Sequence, residues 1–75
     1  MKKFVNELSP EQSKVYTFIT KNVTDDGGNI IEILLEVSEW YESIPEKISD
    51  CYGSLSEIEK IEVIHFVTRY ILKKN

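Results

Sequence analysis

An all-α fold is predicted for this chain: a compact small helical bundle with three main helices plus one short helix. Three observations predict it. Two segments open on the same pattern, Leu8-Ser9-Pro10-Glu11-Gln12 and Leu55-Ser56-Glu57-Ile58-Glu59. In it a serine and the Gln or Glu three places on can satisfy each other's backbone N–H groups, which marks a helix start. Apolar residues after each start recur at three- and four-residue spacing, the period of one helix face. Gly27-Gly28, Pro45 and Gly53 punctuate the sequence between these stretches.

The first helix begins at Ser9 as N-cap, with Pro10 at the first helical position, where its missing N–H costs nothing. Val15, Phe18, Ile19, Asn22 and Val23 follow at helical spacing, with Tyr16 on the stripe's edge. Thr24-Asp25-Asp26-Gly27-Gly28 stops it, since glycine enters turn conformations freely. The second helix starts at Asn29, with Glu32 as its capping-box partner. Ile30, Ile33, Leu34, Val37, Trp40, Tyr41 and Ile44 fill one arc, which Ile31 and Leu35 widen. Glu32, Glu36, Glu39 and Ser43 cluster opposite. So wide an apolar arc predicts the most buried helix, with a single acidic strip in water. Pro45 ends it and opens a short third helix over 45–52, closed by Gly53.

The last helix is expected over 57–73. Its β-branched residues would suit a strand, but the cap and the length favour a helix. Lys73 and Lys74 fall in its final turn, where cations complement the carbonyl end of the dipole. Ile58, Ile61, Ile64, Thr68, Ile71 and Leu72 are expected as its core stripe. Val63, Phe66 and Tyr70 form another, nearly opposite.

Seventy-five residues make one domain, 1–75, with a thin core. Such a core rarely supplies more than about 3–5 kcal/mol unaided. Cys51 is the sole cysteine and excludes an intramolecular disulfide. His65 is the sole histidine, so no metal site and no cofactor are expected. Self-association, or very good helix packing, remains as a source of stability. A homodimer through Val63, Phe66 and Tyr70 is expected, the alternative being that Phe4, Val5 and Leu8 fold over this stripe. The start of the chain lacks the apolar region of a signal peptide, and no apolar run exceeds three residues, so no membrane span is expected. A single free thiol fits a reducing cytoplasm.

Charge is segregated along the chain. Residues 25–62 hold eleven acidic residues against Lys47 and Lys60, a net −9, while residues 1–24 carry +2 and residues 63–75 carry +3. An acidic centre favours a partner with a basic surface. One arginine and a net charge of −4 disfavour direct nucleic-acid binding. Like charges at Glu32, Glu36 and Glu39, with no lysine between them, cost stability, so the strip is a candidate contact surface, with Trp40 and Tyr41 as anchors at its rim.

No catalytic constellation is visible, and no enzyme is expected. Cys51 lies near the end of a short helix, not at a helix N-terminus, where thiol pKa values fall. His65 reads as a core-edge residue. Gly27-Gly28 follows two aspartates and lacks a phosphate-binding lysine. Asp25, Asp26 and Asn29 lack the spacing of a calcium loop. Leu55 to Leu72 resembles the helices of small antitoxin-like proteins over a quarter of the chain, without a diagnostic residue, so the chain is assigned to no family. The expected function is a non-enzymatic protein-binding module: a small cytoplasmic regulator or inhibitor acting through an acidic helix face and an apolar helix stripe. One alternative is an acidic nucleic-acid mimic that blocks a DNA- or RNA-binding protein. Another is a small antitoxin-like nucleic-acid accessory built on the basic ends.

Overall fold

The computed structural model describes residues 7–39 and 44–75. Four helices follow in order: α1 (Pro10–Asn22), α2 (Ile30–Ser38), α3 (Glu46–Ser54) and α4 (Glu57–Lys74). No strand forms among the described residues, so the β-branched content of α4 yields to its cap and length, and the all-α prediction holds. The radius of gyration is 11.5 Å, close to the roughly 11 Å expected of a compact chain this long.

Two of the three predicted capping boxes are present. The Ser9 hydroxyl accepts from the Gln12 N–H at 3.2 Å, and the Gln12 side chain accepts from the Ser9 N–H at 3.0 Å. Ser56 and Glu59 repeat the exchange at 3.2 and 2.9 Å. The start of α2 differs from the prediction. Asn29 occupies the N-cap position but caps nothing with its side chain. Its amide turns back instead, accepting from the Thr24 N–H at 2.8 Å and donating to the Asn22 carbonyl at 3.1 Å. The Asn29 side chain therefore closes the α1–α2 loop. Within that loop Gly27 has φ 75°, and a Cβ there would stand 3.0 Å from Ile71 Cγ2. The positive φ favours glycine there, and any larger residue would also press on Ile71.

Two further boundaries move. The residue that caps α2 at its C-terminus is Glu39, and the predicted extension through Trp40, Tyr41 and Ser43 lies outside the described residues. Pro45 stands just before α3 as its N-cap, and Gly53 lies inside α3, which runs on to Ser54. Gly53 keeps helical backbone, and Gly27 is the glycine with a positive φ.

α1 is the hub and packs on all three other helices. It runs parallel to α4. Gln12 meets Glu59 and Glu62, Tyr16 meets Tyr70 edge to face at 6.4 Å, and Asp25 meets Lys74 and Asn75. The numbering offset stays near fifty along the whole pair, as parallel chains require and antiparallel chains forbid. α2 and α3 form the crossover that makes this possible. Burial and the neighbouring Tyr70 push the Tyr16 hydroxyl above its ordinary pKa.

Val15 and Ile19 from α1, Ile33 and Val37 from α2, and Val63, Val67 and Ile71 from α4 build the core, closed by Ile44 and Leu55. The rotation of α4 departs from the prediction, although Ile71 of the expected core stripe is buried as predicted and Ile64 is half-buried. Val63 and Phe66 are buried and Tyr70 is half-buried, whereas Ile58, Ile61 and Leu72 are exposed. Val63, Phe66, Val67, Tyr70 and Ile71 stand at i, i+3, i+4, i+7 and i+8, the full signature of a core-facing helix. Val67, fully buried, joins these positions into one arc. α2 buries two of its nine residues and α4 four of its eighteen, and only Ile31 and Glu32 of α2 are exposed.

Candidate functional site

Three surfaces come from the way these helices pack. The first is the acidic strip. At about 100° per residue, Glu32 and Glu36 fall within about 40° of each other on α2, and Glu39 follows as its C-cap. Ile33 and Val37 point into the core beside them, so the strip runs along a flank of the helix. Glu32 and Glu39 are exposed and Glu36 is half-buried. Ile31 occupies the outermost position, 67% exposed. α2 contains no basic residue, and the two ion pairs between described residues, Lys60–Glu57 and Lys74–Asp25, both lie elsewhere. Trp40 and Tyr41, the expected anchors of this surface, lie outside the described residues.

The second surface was not legible in the sequence. α1 and α3 flank a groove of about 660 Å³ whose walls include Pro10, Phe18, Pro45 and Ile48, with Lys14, Lys21 and Lys47 around it. Lys14 and Lys21 stand seven residues apart, two turns along one face of α1, and that spacing was the available signal. Lys47 joins them only because Pro45 sets the start of α3 against α1. The basic residues near the N-terminus thus meet a lysine from the acidic middle of the chain.

The third is the outward face of α4. The residues named for self-association, Val63, Phe66 and Tyr70, do not form it. Val63 and Phe66 point inward, and Tyr70 packs edge to face on Tyr16. Their place at the surface is taken by Ile58, Ile61 and Leu72, which are 66%, 58% and 74% exposed. His65 and Thr68 lie exposed between them. His65 sets its ring edge to face on Phe66 at 5.2 Å, and the Thr68 hydroxyl donates to the His65 carbonyl at 2.9 Å. Phe4 and Val5, the segment considered as a cover for the other stripe, lie outside the described residues.

The remaining chemistry-bearing residues are dispersed. Cys51 is half-buried and packs against the core from α3, whereas His65 faces outward from α4. The structure does not assemble them into a nucleophile and base. The Asp26 carboxylate accepts from the Thr24 hydroxyl at 2.8 Å and from the Gly28 N–H at 2.9 Å, which together hold it below the ordinary carboxylate range. Those bonds shape the loop. Among the described residues no three His, Cys, Asp or Glu side chains converge as metal ligands, and no helix is long and apolar enough to cross a membrane. No protein-family model, curated protein or solved structure matches the chain.

Proposed function

We propose that the chain is a non-enzymatic protein-binding module, a small regulator or inhibitor that acts by occupying another protein's surface. The observation that carries this reading is the outer face of α4, where Ile58, Ile61 and Leu72 stand in solvent on one line of a helix. Large apolar side chains gathered on one stripe signal a contact surface, because exposing them together to water is unfavourable. The acidic flank of α2 supplies a second surface, fitted to a partner with a basic face through Glu32, Glu36 and Glu39. A cytoplasmic setting suits this reading, given the free thiol of Cys51.

Two variants test it. Glu32→Lys, Glu36→Lys and Glu39→Lys together relieve like-charge repulsion on one flank and are expected to fold at least as well as the parent. Ile61→Glu changes only an exposed side chain. Capture from the native host with the parent and both variants is expected to retain a protein that the triple variant or Ile61→Glu loses. A protein retained equally by all three would sink the reading. So would a DNA fragment shifted by the parent chain with no protein retained, which instead supports the nucleic-acid accessory.

A further inference from the structure

The outer stripe of α4 has a defined spacing. Ile58, Ile61, His65, Thr68 and Leu72 are separated by three, four, three and four residues. That alternation keeps one seam facing a partner helix along its whole length, as in two-stranded helical packing. Over fourteen residues the seam spans about 21 Å at 1.5 Å per residue. Three of the four exposed large apolar residues of the described chain lie on it.

Charge runs along the same helix with a change of sign. Glu57, Glu59 and Glu62 stand in the first two turns against Lys60, while Arg69, Lys73 and Lys74 stand in the last two. A second α4 laid parallel would set acid on acid and base on base. Laid antiparallel, it sets each acidic end on a basic end and opposes the helix dipoles favourably. Antiparallel pairing about a two-fold axis is also the arrangement in which one patch meets itself.

We propose that the outer face of α4 binds a second copy of this chain, forming an antiparallel homodimer. Ile61 packs against Leu72 of the second copy, and His65 stands opposite Thr68 of that copy across the two-fold axis. Glu62 and Arg69 share one edge of the seam, so each meets its opposite charge in the other copy. The polar pair His65 and Thr68 at the centre sets the register, since any slip would put polar groups on Ile61 or Leu72. A single helix pair of this length lies at the low end of interface sizes, so assembly is expected at micromolar concentration. This inference rests on reading the outer face of α4 as a protein contact.

Sedimentation of the full chain, from low to high micromolar concentration, tests it. The parent is expected to move from a monomer of 8.7 kDa to a dimer. Ile61→Glu is expected to stay monomeric while keeping the parent's circular dichroism and melting temperature, because the side chain is exposed. Arg69→Glu sets like charges across both symmetric edges and is expected to weaken the dimer by about tenfold. Orientation is read in a Cys51→Ser background by mild oxidation of Ile61→Cys chains mixed with Leu72→Cys chains. The mixture is expected to cross-link more than either variant alone.

A parent that stays monomeric throughout overturns the proposal. Cross-linking strongest for Ile61→Cys alone would mean a parallel pair and would overturn it as well. A monomeric parent whose host partner is still lost on Ile61→Glu would remove the second copy and leave the protein-contact reading standing. A monomeric parent whose capture Ile61→Glu leaves unchanged removes both.

Discussion

Gln12 and Lys74 join the same parallel helix pair at its two ends, with different chemistry. At the N-terminal end the Gln12 side chain is 0% exposed. Its oxygen accepts from the Ser9 N–H, and its amide nitrogen donates to the Glu59 carbonyl at 3.0 Å and to the Glu62 carboxylate at 2.9 Å. One neutral group completes its own capping box and fastens it to the box that begins α4. At the C-terminal end the Lys74 ammonium meets the Asp25 carboxylate at 3.1 Å and lies 4.8 Å from the Tyr70 ring centre, in water. The Tyr70 hydroxyl and then Asp25 hold Lys74 charged to a higher pH than usual. Gln12 makes two hydrogen bonds across to α4, and Lys74 makes one, to Asp25 in the loop after α1. The two ties also differ in what replaces a lost partner: water at the exposed end, nothing at the buried one.

Gln12→Glu is expected to give the largest effect. It removes the buried donor and sets a carboxylate against the Glu59 carbonyl and the Glu62 carboxylate. The loss at neutral pH should be about 3 kcal/mol or more, most of what a domain this size has. Burial and the neighbouring like charge raise the new carboxyl's folded pKa above its unfolded value of about 4.3. The stability available with that carboxyl protonated is therefore fully present below the unfolded pKa and is lost as pH rises through the folded one. Urea melts from pH 4 to 7 check this, and a deficit independent of pH would mean that Gln12 does not sit opposite Glu62 as described.

Gly27→Ala comes next. It adds a Cβ at φ 75° and 3.0 Å from Ile71 Cγ2, so both the backbone and the core edge resist it. A loss of about 1–2 kcal/mol is expected from the left-handed backbone. A neutral result in thermal melts would show that the loop relaxes away from α4.

Ser9→Ala and Ser56→Ala remove one acceptor each, at about 1 kcal/mol. The comparison predicts that they are unequal. Ser9 sits beside the buried amide, so its loss should exceed that of Ser56, whose box is exposed. Equal losses would confine the role of Gln12 to its own contacts with α4.

The smallest effect is expected at the wet end. Lys74→Ala should leave the melting temperature unchanged within error, and more clearly so in high salt, because exposed charges are screened. The Asp26 carboxyl in the same loop has a depressed folded pKa. Whatever it contributes is present above its unfolded pKa and lost as pH falls through the folded one, so Asp26→Asn should be less acid-sensitive than the parent. A large loss on Lys74→Ala would break the contrast between the two ends.

The helix starts were legible because their bonds close within three residues. Ser9 with Gln12 and Ser56 with Glu59 need no tertiary partner to be recognised. Asn29 was misread because its side chain can bond forward, as a cap, or backward across a loop, and only the fold supplies the backward partners Thr24 and Asn22. The acidic flank was legible as a spacing on one helix. The lysine groove was not, since Lys47 joins Lys14 and Lys21 across helices.

By itself, then, the sequence determined an all-α chain, the two capping boxes and the segregation of charge, because each depends on neighbours along the backbone. The tertiary structure decided which side of α4 is inside. Both sides carry isoleucine and valine or leucine, so apolar content alone does not separate them. Packing against α1 does: Val63, Val67 and Ile71 join Val15 and Ile19 in one core, Tyr70 meets Tyr16, and the Gln12 amide fixes the rotation of α4 through Glu59 and Glu62. With that rotation set, Ile58, Ile61 and Leu72 have only the solvent side left, and the surface offered to partners follows from it.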